Sequence, residues 1–114
     1  DLAAGRSGAA ALLALAERPE AIVCFNDPLA LGAQQELRER GVAIPDEIAL
    51  TGFSGVVETE LAAVPITTVY QDAAKLGSEA ARLIFSRMVN PSARFTPVRR
   101  VIKTTMLLRT SSLR

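Results

Sequence analysis

Three polar residues each close a β-rich run in this sequence. Asn26 follows the apolar run 21–25, Ser54 follows 48–53, and Gln71 follows 66–70. In open α/β sheets, ligands bind beyond the carboxyl ends of the strands. Asn26 offers two N–H donors and an acceptor, which suits sugar hydroxyls or the edge of a purine. Ser54 and Gln71 repeat that logic at the next two strand ends. Three such residues at successive strand ends are expected to converge on one cleft, so Asn26, Ser54 and Gln71 form the candidate ligand-binding set. Each position also has a plainer role open to it. Asn26 and Asp27 can simply cap the helix that follows, and Ser54 can simply turn the chain within Gly52-Phe53-Ser54-Gly55.

Catalytic chemistry finds little to work with. The chain has no histidine, the usual general base and metal ligand. Its single cysteine, Cys24, lies in an apolar run with no histidine to activate it, and reads as a core residue. The Gly52–Gly55 turn lacks the spacing and the lysine of a phosphate loop. Glu36, Glu39, Glu58 and Glu60 stand in surface-like contexts. No catalytic residue, no metal site and no cofactor are therefore expected, and the chain does not read as an enzyme.

The elements that must position these residues alternate. Helices are predicted near 6–16, 28–40 and 72–89, and strands near 21–25, 48–53 and 67–70. Leu12, Leu13 and Ala16 share one side of the first helix, which must end before Pro19. Pro28 fits the first turn of the second helix, Leu29, Ala33 and Leu37 recur at a spacing of four, and Gly41 is a natural stop. Leu76, Ala80, Leu83 and Ile84 form the apolar face of the third. Residues 54–65 read as irregular or a short helix, and Asn90-Pro91-Ser92 as a loop. Val98 to Ile102 and Thr105 to Leu108 read as two final strands. The alternation implies an α/β fold, with a mainly parallel sheet flanked by helices.

The bulk numbers agree with a small globular unit. The 114 residues are 49% hydrophobic, enough for a packed core, and the net charge is +1. Scattered basic residues give no electrostatic reason to expect nucleic-acid or membrane binding by these residues themselves. One cysteine precludes an internal disulfide and fits a reducing, cytoplasmic setting. The start at Asp1, directly into a helical pattern, suggests a piece of a longer protein.

Several segments together resemble LacI-family transcription regulators. Ala21-Ile22-Val23-Cys24-Phe25-Asn26-Asp27-Pro28-Leu29-Ala30-Leu31-Gly32-Ala33 resembles that family's AIxxxNDxxAxGA segment. The stretch 40–53, ending Ile48-Ala49-Leu50-Thr51-Gly52-Phe53, resembles xGxxVPxDIxVxGF, and Pro65-Ile66-Thr67-Thr68-Val69-Tyr70-Gln71 resembles PxLTTVxQ. Leu76-Gly77-Ser78-Glu79-Ala80-Ala81 resembles xGxxAA, and Leu107-Leu108-Arg109-Thr110-Ser111-Ser112 resembles LxxRxSS. The order and spacing of these segments cover nearly the whole chain.

The resemblance implies two α/β lobes of a periplasmic-binding-protein-like fold, with an effector held between them. Residues 1–114 would be most of the C-terminal lobe, a single partial effector-binding and dimerisation domain. The helix-turn-helix that reads the operator would be absent from this chain. Asn26, Ser54 and Gln71 would line the effector cleft, and a bound sugar or nucleoside-like metabolite would shift the regulator between two arrangements of its lobes. Many members carry Asp where this chain has Ser54, and an aromatic near Ala3. Serine and alanine at these places weaken the case for an ordinary pyranose as effector. The resemblance also implies a homodimer through Leu31, Leu61 and Ala62, on the helix after Pro28 and the segment 57–64. The competing reading of that cluster is that Leu31 and Leu61 pack on each other within one chain. A sugar-binding protein of an uptake system shares the same fold and is the alternative function.

Overall fold

A computed structural model describes residues 1–90 and 97–114. They fall into two units, Asp1–Tyr70 with Thr105–Arg114, and Gln71–Thr104.

In the first unit, helix α1 spans Leu2–Leu13, and the Asp1 side chain accepts a hydrogen bond from the Ala4 amide at 2.9 Å. Its buried stripe is Gly5, Ala9 and Leu13, at the four-residue spacing of a helix face. Ala16 lies beyond the helix end and is exposed, so the side expected from Leu12, Leu13 and Ala16 is displaced toward the N-terminus. Strand β1 (Ala21–Val23) leads to helix α2 (Asp27–Glu39), and strand β2 (Ala49–Thr51) leads to a short helix α3 (Glu58–Leu61). Strand β3 (Thr68–Tyr70) follows.

β1 and β2 pair in parallel, with Ile22 opposite Leu50. Parallel bridges from Thr51 to Thr67 and from Ser54 to Tyr70 extend that pairing toward β3. Strand β4 (Thr105–Leu107) runs antiparallel to β3, with Val69 opposite Met106. The architecture is α/β with parallel pairing through β1, β2 and β3 and one antiparallel edge. The core is Leu37, Leu50 and Ile66, all fully buried, with Ala30, Ala33 and Ile48 around them.

α1 lies close on α2. A Cβ on Gly5 would come within 2.2 Å of the Leu29 carbonyl oxygen, and one on Gly32 within 2.0 Å of that of Leu2. Glycine at both places lets the two backbones touch. Glu36 is buried at this junction, 3.1 Å from Arg6 and 2.7 Å from Arg40. This corrects the surface-like reading of Glu36: two guanidinium groups compensate its burial. Glu39 stays exposed and also bonds Arg6, which holds its carboxyl below the usual range and raises Arg6 in return.

The C-terminal LxxRxSS segment acts as a bolt. The Ser111 hydroxyl, fully buried, donates to the Leu50 carbonyl at 2.5 Å and accepts from the Thr67 amide at 2.9 Å. Arg109 donates to Thr59 Oγ1 and the Ile66 carbonyl at 2.9 and 3.0 Å, and pairs with Glu60 at 3.3 Å.

The second unit holds helix α4 (Ala73–Val89), capped by Asp72, whose carboxylate accepts from the Lys75 amide at 2.9 Å. None of its described residues is buried. The expected apolar face of α4 forms, but Leu76 and Ile84 are exposed, so it has no core of its own among the described residues. Val98 to Ile102 forms no strand: Val98 and Val101 are exposed and no ladder partner lies alongside them among the described residues. The final strand is Thr105–Leu107 alone. Of the loop expected at Asn90-Pro91-Ser92, Asn90 is the C-cap of α4 and the other two lie outside the described residues.

Candidate functional site at the strand ends

Asn26 sits three residues beyond the end of β1 and is the N-cap of α2. Its Oδ1 accepts from the Leu29 amide at 3.0 Å. Its Nδ2 has no partner among the described residues, and the residue is half-exposed. The cap therefore occupies one end of this amide and leaves two N–H donors available.

Asp27, expected only as a possible cap, does something else. It is 0% exposed, and its carboxylate gathers donors from two distant segments. Oδ2 accepts from the Gly55 and Val56 amides at 2.7 and 2.8 Å, and Oδ1 from the Thr68 hydroxyl at 2.6 Å. These charge-assisted bonds compensate the burial of the carboxylate. The β1–α2 junction is thereby tied to the loop after β2 and to β3. The Gly52 backbone leaves room for it, since a Cβ there would lie 2.3 Å from Asp27 Oδ1. A signal for this was present in the sequence. Asn26 and Asp27 are both cap-type residues in succession, and a helix has one N-cap, so the second was free for another partner.

Ser54 stands just past β2 with a φ of 130°. Serine rarely adopts that conformation, and holding it costs roughly 1–3 kcal/mol. Its amide donates to the Val69 carbonyl at 3.0 Å, and no described group pairs with its hydroxyl. Gly55 follows at a φ of 79°, and a Cβ there would fall 2.7 Å from Tyr70 Cα. Only glycine fits at that second position. The Asp27 amide donates to the Phe53 carbonyl at 2.9 Å, so Asn26 and Ser54 end adjacent segments of one sheet.

Gln71 follows Tyr70 directly and begins the second unit, where it is exposed. There it lines a small groove of about 120 Å³ with Asp72, Leu76, Ile102, Lys103 and Thr104. A larger, apolar groove of about 320 Å³ lies on the first unit's sheet, lined by Val23, Cys24, Phe53, Val69, Met106 and Leu108, with neither Asn26 nor Ser54 in its wall. Burial, and then the charge of Asp27, push the Cys24 thiol up to about 11. A thiol held neutral in this way is a poor nucleophile at ordinary pH. No cluster of three or more His, Cys, Asp or Glu side chains suited to a metal occurs among the described residues.

Of the residues expected at an interface, Leu61 is 78% exposed, while Leu31 and Ala62 are half-buried and pack on the first unit's own core. Gln34, buried on α2, donates to the Val64 carbonyl at 2.6 Å and so pins the segment 62–64 to that helix.

The sequence profile of the periplasmic binding protein-like domain matches residues 1–112. The HTH-type transcriptional repressor PurR of Mannheimia succiniciproducens is 41% identical over 83 residues, 73% of this chain and 25% of the repressor. A transcriptional regulator CelR–cellobiose complex superposes with a TM-score of 0.86 at 30% identity, over 97% of this chain and 33% of that one. A LacI family transcriptional regulator from Lactobacillus casei with bound glucose gives 0.79 at 25% identity, over 97% and 39%. The chain thus spans about a quarter of the PurR repressor's length. These relatives are transcription regulators rather than enzymes. No helix among the described residues is long and apolar enough to cross a membrane. On the profile match along nearly its whole length, the protein belongs to the periplasmic binding protein-like domain family, in the form shared with LacI-family regulators.

Proposed function

We propose that these 114 residues are the effector-sensing part of a cytoplasmic LacI-family regulator, without catalytic activity, and that Asn26 and Ser54 contact a small polyhydroxylated effector. The observation that carries this reading is the pair of strand-end side chains with unused polar groups. Asn26 keeps two amide donors beyond its cap, and the Ser54 hydroxyl stands on a strained turn beside it. Strain at a polar residue beyond a strand end is the kind of feature that functional sites retain. Support also comes from relatives of the same fold that hold cellobiose and glucose. Gln71 keeps its place as a contact on sequence position alone, as the residue directly after β3. The effector class is a sugar or a nucleoside, both of which match neutral amide and hydroxyl partners. Effector binding would shift the population of lobe arrangements and so operator affinity, with DNA contact made by a part of the regulator outside these residues.

The same reading includes a homodimer. Leu61 is exposed, and the Gln34–Val64 bond makes α2 and the segment after α3 one continuous surface. Leu31 and Ala62 would border that surface rather than form its centre. Leu61→Glu in the full-length protein should shift sedimentation from dimer toward monomer, and an unchanged dimer would remove this part of the proposal.

The effector is tested by a thermal-shift screen of the full-length protein against sugars and nucleosides, including cellobiose, D-ribose and adenosine. A ligand that raises the melting temperature of the wild type, and loses that effect in Asn26→Ala, supports the site. A shift that Asn26→Ala and Ser54→Ala both leave intact counts against it.

A further inference from the structure

We infer that Asp27 is the positioning residue of this cleft: its carboxylate sets the Ser54–Gly55 turn and thereby the direction in which Ser54 meets a ligand. The inference rests on reading Asn26 and Ser54 as effector contacts. Asp27 is fully buried, so it touches no ligand itself and acts through its neighbours. Two successive amides, Gly55 and Val56, converge on its Oδ2 at 2.7 and 2.8 Å, immediately after Ser54. The Ser54 amide is held from the other side by the Val69 carbonyl at 3.0 Å. Thr68, one residue earlier on that strand, donates its hydroxyl to Oδ1 and orients the carboxylate. Ser54, at a φ of 130°, is thus gripped on both flanks by groups from β3 and from Asp27.

The donor set suits a carboxylate. An ionised carboxylate only accepts, and every partner here is a donor. An asparagine in its place could keep its oxygen on the Gly55 and Val56 amides and turn its NH2 to the Thr68 hydroxyl, which also accepts, whereas an alanine removes both acceptors. The two residues that directly precede Pro28 therefore divide the work: Asn26 presents donors, and Asp27 aims Ser54.

Hydrogen–deuterium exchange of the full-length protein, followed by mass spectrometry without ligand, tests the clamp. In Asp27→Ala, peptides covering residues 53–57 should exchange about tenfold faster or more, because two amides lose their acceptor. Peptides from α1 and from the buried half of α2 should keep their rates. A uniform rise across the whole unit would mean that Asp27 only stabilises the fold, and would overturn the inference. Thr68→Val, which keeps the shape of the core, gives the same local rise at smaller size and serves if Asp27→Ala does not fold. A second readout is coupling. Ser54→Gly should raise the urea midpoint when Asp27 is present and lose that gain in the Asp27→Ala protein, whose turn has already relaxed. An equal gain in both backgrounds contradicts the clamp. The effector reading fails separately, by ligand-induced thermal shifts that Asn26→Ala and Ser54→Ala leave untouched; Asp27 would then be a clamp on a turn that serves no ligand.

Discussion

The junction after β1 and the junction after β2 are neighbours in one sheet, yet they are built by different means. At the first, the Asn26 cap bonds the amide three residues ahead, and Pro28 enters the helix where its missing N–H costs nothing. Local chemistry suffices there, and the backbone stays in an ordinary extended conformation at a φ of −151°. At the second, the chain takes a φ of 130° at Ser54 and 79° at Gly55, and what holds it is Asp27, 28 and 29 residues away in sequence from its two amide partners. A relaxed junction presents one candidate contact, and a strained one presents the other. The comparison teaches that a polar residue at a strand end can be placed by its own segment or by a buried group elsewhere. Only the second kind can be redirected by mutating a residue that never meets the ligand.

The comparison breaks most visibly at Asp27. Asp27→Ala strands two half-buried amides and a buried hydroxyl, and should cost roughly 3–5 kcal/mol in urea unfolding of the full-length protein. A loss below that of a simple cap would mean that the second junction holds itself. Gly55→Ala should cost about 2 kcal/mol or more, from a left-handed φ and a clash with Tyr70; an unchanged unfolding midpoint would contradict the turn described here. Asn26→Ala removes only a local cap, so about 1 kcal/mol is expected by the same measurement. Ser54→Gly should do the opposite and stabilise by about 1 kcal/mol or less, strain relief being partly offset by added unfolded-state entropy. The smallest effect is expected at Cys24. Burial keeps its thiol protonated to about pH 11 in the folded state, against roughly 8.5 for an ordinary thiol. The folded state therefore binds more protons between those values, and stability should fall slightly as pH rises through that window. Comparing wild type with Cys24→Ala in alkaline unfolding isolates the term, and identical pH curves would show that it is absent.

Much of this site was legible in the residues themselves. Asn26 before Asp-Pro announces a cap and a helix start, and the apolar runs ending at Phe25, Phe53 and Tyr70 announce three strand ends. The shift of the first helix is equally instructive. Gly5, not Ala16, belongs to its buried side, because contact with α2 at Leu29 selects the residue without a side chain. Periodicity ranks residues by polarity, and glycine has none to rank. Glu36 eluded the same logic: its charge suggests solvent, and only Arg6 on α1 and Arg40 just past α2 make its burial possible. Val98 to Ile102 carries a strand-like pattern, but a strand needs a partner edge, and among the described residues none is offered.

What the sequence determined by itself is local: the cap at the Asn26-Asp27 junction, the helix start at Asp72, the helix and strand order, and the polar residues left at the strand ends. Each of these depends on groups within a few residues of one another, so type and spacing suffice. The tertiary structure alone decided that Asp27 faces inward, that Ser54 is strained, and that Ser111 bolts Leu50 to Thr67. Those outcomes depend on which donors arrive beside a buried acceptor from segments 28 to 61 residues distant. A buried polar group must find such partners, and folding, not adjacency, brings them within reach.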